Sequence, residues 1–157
     1  MYKTILKHFA PYFPHGLVIK HNNSKQLFTL LKISQCNDIK IIDYQTEWNG
    51  ENGEDVSLVY NNKQQYFPVL RPLSDIKKEI MHNDLMKPAW HWLTYDIAVH
   101  AARGIYSAER LLQNRINTNT LYFTDAQALF AMKFDVLGLI GQGLAIDVNT
   151  LPENPYK

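Results

Sequence analysis

The hydrophobic pattern of the chain changes its period near residue 72, and this change limits the folds that the chain can adopt. Before it, short runs rich in β-branched and aromatic residues (LVIK, LFTLLKI, IKIIDY, VSLVY and QYFPVL) alternate with turn-forming residues, which is typical of short antiparallel strands. After it, apolar residues recur at steps of three and four, as on one face of a helix. The sequence therefore predicts an α+β fold, with a small bent antiparallel sheet or SH3-like barrel over residues 16–72 and a helical half over residues 74–145.

The helical half is predicted to contain two main helices. Pro88 suits the first position of a long helix, where its missing amide hydrogen costs nothing, and the helical pattern continues to Gln113. The apolar face of this helix consists of Trp90, Leu93, Ile97, Ala101, Ile105, Ala108 and Leu112. A shorter helix is expected to begin at Ser74 or Asp75, whose side chains can accept from first-turn amides, and to reach about Met81.

The second main helix is predicted to begin at Thr124, which is spaced to form a capping box with Gln127. It is apolar around most of its circumference, so we expect it in the core. The run GLIGQGL that follows holds three glycines, but a dinucleotide-binding loop needs its glycines between a strand and a helix. Gly143 is instead expected to end the helix in a left-handed conformation, with Leu144 folding back as an apolar contact.

Composition and charge exclude several classes of protein. The 157 residues are 46% hydrophobic and carry 16 lysines and arginines against 15 aspartates and glutamates. A single domain over residues 1–157 is expected, and the strongly basic field that dominates non-specific nucleic-acid binding is missing. No apolar run approaches the ~20 residues of a membrane-spanning helix. The single cysteine, Cys36, favours a reducing compartment, and we expect a cytoplasmic protein.

No sequence motif for a metal, a cofactor or a catalytic group stands out. Three histidines are spaced nine residues apart, whereas a zinc-binding pair on a helix is typically four apart: His82, His91 and His100. The segment from residue 47 resembles the beginning of a calcium loop, but Leu58 stands where a bidentate glutamate is needed. Cys36 has no associated base in the sequence pattern. We expect no metal, no cofactor and no catalytic residue; an enzyme stays an alternative, because catalytic groups assemble from distant positions.

The expected long helix has a second stripe on the side opposite its apolar face. Steps of four and three select Trp92, Asp96, Val99, Arg103, Tyr106 and Arg110. Tryptophan, tyrosine and arginine dominate the energetics of protein interfaces, because they bury a large area or donate forked hydrogen bonds. We therefore predict a partner-binding surface of Trp92, Asp96, Arg103, Tyr106 and Arg110. The alternative is that both faces of this helix are buried, which Val99 and Tyr106 would also fit.

Three stretches together resemble a family of uncharacterised small proteins encoded by phages and prophages of Bacteroidetes. They are FAPYFPHGL at residues 9–17, PVLRPLSDI at residues 68–76 and FDVLGLIGQGLAIDVNTL at residues 134–151. The pair Gly141 and Gln142 departs from the more charged pair of that family, and residues 82–123 match none of its motifs. The family has no assigned activity, so the resemblance implies a setting, a phage protein made inside a bacterial host cell, and carries over no functional residue.

These observations favour a non-enzymatic phage accessory protein that binds a bacterial or phage protein, with an inhibitor of a host defence system as the specific expectation. The alternative is a small nucleic-acid-binding module, because small bent sheets often bind single strands through exposed aromatic and basic residues. The residues that would serve it are Lys20, Lys25, Lys32, Lys40, Lys63, Tyr44 and Tyr60. A stripe that contains Trp92 could also join two copies of the chain in a homo-oligomer.

Overall fold

The chain forms two compact units in the computed structural model. Residues 9–21, 25, 27–36, 39–46, 55–60 and 66–156 are described, with the backbone alone for residues 31–36, 39–46, 55–60 and 105–107. Unit 1 comprises Met1–Leu70 and Leu139–Ile146, and unit 2 comprises Arg71–Gly138 and Asp147–Lys157. The first boundary lies close to the predicted change from strands to helices. The expectation of a single domain stays a prediction.

Strands and helices both occur in the described part of the chain. The strands are β1 (Val18–His21), β2 (Leu27–Cys36), β3 (Ile39–Thr46), β4 (Asp55–Tyr60), β5 (Tyr66–Leu70), β6 (Glu79–His82), β7 (Leu85–Pro88) and β8 (Ile146–Asp147). The α-helices are α1 (Tyr95–Arg103), α2 (Ile105–Asn117) and α3 (Phe123–Ala131). Short 3-10 segments cover Phe13–His15, Leu73–Lys77, Ala89–Trp92 and Val148–Thr150. The α+β class predicted from the sequence is confirmed.

The larger sheet has the strand order β4-β3-β2-β1-β5-β8. The first four strands follow one another as an antiparallel meander, and β5 pairs antiparallel with the free side of β1. A register shift between Leu30 and Lys32 marks an irregularity in β2, and such a bulge increases the local bend and twist of a strand. A small antiparallel sheet is therefore present where the sequence predicts it, and its closure into an SH3-like barrel stays a prediction.

The core of unit 1 collects apolar side chains from the inner strands and from the segments that flank them. Its buried members are Phe9, Tyr12, Leu17, Val18, Ile19, Phe28, Leu30, Tyr66, Val69, Leu70, Leu139 and Leu144. The spacing of Ile5, Leu6 and Phe9 predicts a short helix from Tyr2 to about Phe9. Of its residues only Phe9 is described, and it is helical.

The first part of unit 2 is a hairpin, where the sequence predicts helix. A 3-10 segment ends at Lys77 and β6 begins at Glu79, so the helix predicted to reach Met81 is wrong. Asn83 and Asp84 form the two-residue turn to β7 with φ values of 50° and 59°. Two successive left-handed residues give the hairpin turn that matches strand twist, and asparagine and aspartate tolerate it.

The predicted long helix is in fact two helices preceded by a strand and a 3-10 segment. Pro88 ends β7 opposite Glu79, and α1 begins only at Tyr95. Gly104 separates α1 from α2 with φ 152° and ψ 123°, a conformation that side-chain-bearing residues rarely adopt. The prediction of a continuous helix from Pro88 to Gln113 is therefore wrong, since one glycine breaks a pattern that is apolar on both sides of it.

The apolar face predicted for that helix is nevertheless the buried one. Leu93, Ile97, Ala101, Ala108 and Leu112 are all buried. The side chain of Ile105, also predicted on this face, is outside the described part. Trp90 packs partly buried against the same core cluster. The core of unit 2 is completed by Leu73, Ile76, Ile80, Ala89, Leu129, Met132, Phe134 and Val136.

Helix α3 begins and ends earlier than the sequence predicts. Its N-cap residue is Tyr122 and no side chain caps it, so the capping box of Thr124 is wrong. At its end the Phe134 N–H donates to the Leu129 carbonyl (2.9 Å) and the Lys133 N–H to the Phe130 carbonyl (3.0 Å). This is the Schellman pattern, in which the left-handed residue is usually glycine; here it is Lys133, with φ 61°.

The glycine run after α3 forms a separate turn in unit 1. The Leu144 N–H donates to the Leu139 carbonyl (2.8 Å) and the Gly143 N–H to the Ile140 carbonyl (3.0 Å), with Gly143 at φ 68°. This is again a Schellman pattern. The left-handed conformation expected of Gly143 is confirmed, but the residue closes a single turn and does not end the core helix. Leu137, expected in the core, follows the end of α3 and is 40% exposed.

Candidate protein-binding site

The five residues predicted to bind a partner do not share one helix. Asp96 and Arg103 lie on α1 and Arg110 lies on α2, and all three are exposed. Because Gly104 separates the two helices, steps of three and four no longer define one face across it. The side chain of Tyr106 is outside the described part. The role of these residues in partner binding stays a prediction.

Trp92, the fifth predicted residue, lies in the 3-10 segment before α1 and is partly buried against the core of unit 2. Its ring makes edge contacts with two imidazoles: His82 of the hairpin at a centroid distance of 5.4 Å and His91 at 5.1 Å. His91 also contacts Trp90 at 6.5 Å. Trp92 therefore has a packing role between the hairpin and the 3-10 segment.

Asp96 is bound to a residue that the sequence pattern did not select. Its Oδ2 accepts from Nη2 of Arg115 at 3.1 Å. The guanidinium of Arg115 also lies over the ring of Tyr122, 4.9 Å from its centroid. The side chain of Arg115 is only 15% exposed, and its Nη1 is buried without a hydrogen-bond partner among the described residues. Arg115 of α2 thus connects the first turn of α1 to the N-cap residue of α3.

A second connection joins the N-termini of α1 and α3 directly. Asp125, in the first turn of α3, is buried. Its Oδ1 accepts from the Thr94 N–H at 2.8 Å and its Oδ2 from the Thr94 hydroxyl at 3.0 Å. Thr94 is the N-cap residue of α1, so a carboxylate of one helix satisfies both donors at the beginning of the other.

Three large aromatic side chains are exposed on these two joined helix beginnings. Tyr95 is 82% exposed, Phe123 74% and Tyr122 52%. Tyr95 directly follows Thr94, and Phe123 precedes Asp125 by two residues, so the bonded pair holds their backbones close. We call Tyr95, Tyr122 and Phe123 the aromatic surface.

The aromatic surface has the chemistry of a protein-binding site. Aromatic side chains bury a large area with few rotatable bonds, and arginine and tyrosine are enriched among residues that dominate binding energy. The polar groups around them are already paired with one another, because Arg115 takes Asp96 and Asp125 takes Thr94. A partner that covers the surface would therefore desolvate few unpaired charges.

The sequence analysis missed the aromatic surface because its members belong to two separate segments. Tyr95 is out of phase with the stripe selected on the supposed long helix. The adjacent pair Tyr122 and Phe123, immediately before an apolar helix, was the one local signal available.

A second group of charged side chains lies in unit 2, near its last residues. Arg71 is buried, and its Nε donates to the Met132 carbonyl (3.2 Å) and its Nη2 to the Tyr156 carbonyl (3.3 Å). The Arg71 guanidinium and the Lys133 ammonium each lie 5.4 Å from the centroid of the Tyr156 ring. The backbones are joined as well: the Arg71 N–H donates to the Lys133 carbonyl and the Asp135 N–H to the Arg71 carbonyl, both at 2.8 Å.

The pKa values of both cations are displaced by this environment. Burial lowers the pKa of Arg71 below its ordinary value, while the neighbouring Tyr156 and Asp75 act in the opposite direction. Burial also lowers the pKa of Lys133, and the positive charge of Arg71 lowers it further. A like-charged neighbour and desolvation both disfavour a protonated amine. We call Arg71, Lys133 and Tyr156 the cation cluster.

The described residues contain neither a metal-binding cluster nor a membrane-spanning helix. No group of three or more histidine, cysteine, aspartate or glutamate side chains there is arranged to hold a metal ion. No helix of that part has the length and apolar character needed to cross a membrane. The segment that resembles a calcium loop lies mostly outside the described residues. Cys36 ends β2 opposite Ile39, and its side chain is not described.

The residues of the predicted nucleic-acid surface are described only in part. Lys20 lies half-exposed on β1 and Lys25 is exposed. Lys32, Lys40, Tyr44 and Tyr60 are described by their backbone alone, and Lys63 is outside the described residues. This surface stays a prediction.

No protein-family model, curated protein or solved structure matches the chain.

Proposed function

We propose that this protein is a non-enzymatic binding protein whose partner is another protein, and that the aromatic surface is its contact region. The observation that carries the proposal is the exposure of Tyr95, Tyr122 and Phe123 on two helix beginnings that are joined by partly buried hydrogen bonds. Exposed aromatic groups on a rigid support lose little conformational freedom on binding.

The residues predicted from the sequence extend this contact region. Asp96 follows Tyr95 on α1 and is bound to Arg115, while Arg103 and Arg110 are exposed on the two helices beyond. We propose that the aromatic surface supplies the centre of the interface and that Arg103 and Arg110 supply charged contacts at its rim. Interfaces commonly combine an apolar centre with a polar rim.

The setting is a further part of the proposal. The resemblance to phage and prophage proteins supports a protein that acts in the cytoplasm of a bacterial host, on a host or phage protein. Inhibition of a host defence system is the specific role we propose for it. The proposed setting and role rest on the resemblance alone, whereas the proposal that the aromatic surface binds a protein does not depend on it.

The test compares the proteins retained by tagged wild-type protein with those retained by two double variants. In the first, Tyr95→Ser and Phe123→Ser remove two members of the aromatic surface. In the second, the control, Leu85→Ser and Met86→Ser remove side chains of the hairpin that are 54% and 50% exposed. Both variants lose exposed apolar area, but at different places.

We expect the partner to be lost from the aromatic variant and kept by the hairpin variant, with both proteins giving the circular dichroism spectrum of the wild type. Equal loss from both would mean that retention follows exposed apolar area alone, which would overturn the proposal. Retention that nuclease treatment abolishes would replace the protein partner with nucleic acid. Light scattering at two protein concentrations separates a second copy of this chain from a different partner.

A further inference from the structure

The cation cluster contains two positive charges that have no carboxylate partner within the described ranges. Neither Arg71 nor Lys133 forms an ion pair with a carboxylate of the described residues; the ion pairs found there are Lys78 with Asp75 and Arg115 with Asp96. Two like charges that are partly removed from water raise the energy of the folded state, because solvent compensates them only in part.

The acid whose field acts on Arg71 is Asp75, and both of its oxygens already have other partners. Asp75 is buried, and its Oδ1 binds Nζ of Lys78 at 2.9 Å. Its Oδ2 accepts from Nδ2 of Asn149 at 2.9 Å, and Asn149 in turn accepts from Lys78 at 3.0 Å. The carboxylate is therefore held by its own lysine and asparagine, and it influences Arg71 only through its field.

Both the backbone conformation and the surroundings of Lys133 are unfavourable for a lysine. Its backbone has φ 61° at the end of α3, where glycine is the usual occupant. Its side chain is half-buried and faces the Tyr156 ring beside a second cation. Departures from local preference, strained backbone and displaced pKa values are concentrated at functional sites, so a ligand role for this lysine accounts for both.

Some of the hydrogen-bond donors of the cation cluster are available to bind a ligand. The hydrogen bonds of Arg71 to described residues use Nε and Nη2, and among those residues Nη1 has no acceptor. The ring of Tyr156 lies against both cations, and the attraction between a cation and the face of an aromatic ring offsets part of their mutual repulsion. The ring thus holds the two charged heads together without neutralising them.

We propose that Arg71 and Lys133 form a binding site for the phosphate group of a small molecule, with the Tyr156 ring as its support. A phosphate carries about −1.5 to −2 charges near pH 7 and offers three acceptor oxygens, which matches two cations with several free donors. Arginine presents a planar fork to such a group, and lysine adds a mobile point charge. This site shares no residue with the aromatic surface, so the result of its test does not depend on the proposed function.

The test is a calorimetric titration of the full chain with inorganic phosphate at constant ionic strength, repeated with glycerol 2-phosphate and with acetate. The variant Lys133→Met removes one charge and keeps an unbranched side chain. The control is Lys78→Met, which removes a lysine that already has a carboxylate partner. A third variant, Lys133→Arg, restores the charge.

We expect saturable phosphate binding by the wild type, at least ten-fold weaker binding by Lys133→Met, and binding close to that of the wild type by Lys78→Met and Lys133→Arg. Tighter binding of glycerol 2-phosphate would identify a phosphate ester as the source, and tighter binding of inorganic phosphate would identify the free ion. The proposal is overturned if phosphate does not bind saturably, if Lys133→Met binds it as well as the wild type, or if acetate binds as tightly as phosphate.

Discussion

Asp125 and Thr94 are bound by two hydrogen bonds across 31 positions of the chain, one to the backbone amide and one to the hydroxyl of the threonine. Asp125 is buried and Thr94 is partly buried, so both bonds are partly shielded from water. An acidic group near a helix N-terminus also interacts favourably with the helix dipole. In this pair one carboxylate serves two helices, since it lies in the first turn of α3 and accepts the donors of the N-cap residue of α1.

Asp125→Ala is expected to lower the free energy of unfolding by roughly 2 kcal/mol, because it removes the acceptor of two Thr94 donors in a partly buried place. Chemical denaturation measures the change. Asp96→Ala is the matched control, since its carboxylate is exposed and its ion pair should contribute at most about 1 kcal/mol. A similar loss in both variants would show that the bonds of Asp125 contribute no more than a surface pair.

Gly143→Val is expected to destabilise the protein, because Gly143 closes its turn with φ 68° and a side chain in the left-handed region costs about 1–2 kcal/mol, more for a β-branched one. Space around the residue is not the limit, as a Cβ at this position meets no atom within 4 Å. Gln142→Ala, one residue earlier and exposed, should change stability by less than about 0.5 kcal/mol. Thermal unfolding of the two variants gives the comparison, and equal midpoints would contradict the turn.

Asp84→Gly is expected to stabilise the hairpin of β6 and β7 by about 0.5–1 kcal/mol. Asp84 has φ 59° in a two-residue turn, and asparagine followed by glycine is the preferred sequence for that turn. Asn83→Val tests the same geometry in the opposite direction, since a β-branched side chain is disfavoured at φ 50°. If the two substitutions shift the denaturation midpoint in the same direction, the turn conformation is wrong.

Lys133→Met is expected to change how stability depends on pH. The pKa of Lys133 is lowered by burial and by Arg71, so between that lowered value and about 10.4 the unfolded chain binds more protons than the folded one. The free energy of unfolding of the wild type should therefore gain a contribution as pH rises through this window.

The variant lacks that contribution. Its free energy of unfolding should therefore exceed that of the wild type by the largest amount near neutral pH, and the difference should shrink as the lysine of the wild type loses its proton. Urea denaturation of both proteins at several pH values gives the difference curve. A difference that is constant with pH would show that Lys133 titrates alike in the folded and unfolded states.

The hydrophobic period was sufficient to predict where strands give way to helices, because burial of one face imposes the period on the sequence. The same signal failed at Gly104, since glycine within a helical pattern lowers helix propensity without showing whether the helix stops. It failed again at residues 79–88, where the hairpin depends on the left-handed pair Asn83 and Asp84 rather than on alternation. The buried face of the supposed long helix was predicted correctly because α1 and α2 pack on the same core.

The candidate sites were harder to predict, because their residues meet only in the folded chain. The expectation that Asp96 takes part in a surface constellation used spacing along one helix, whereas its partner Arg115 lies on the next helix. No feature of the sequence around Thr94 indicates that Asp125 binds it. Arg71 and Lys133 are 62 positions apart by their numbering, and the parallel bridge between Arg71 and Phe134 brings their backbones together.

That bridge also bears on the order in which unit 2 folds. It closes a loop that contains the hairpin and all three described α-helices, and the entropy cost of such a closure must be met before its contacts form. The hairpin and the helices depend on contacts close in sequence, and such contacts form quickly. The strand-like contact of Arg71 with Phe134 is therefore expected to form late, and with it the cation cluster, whose geometry exists only once the loop has closed.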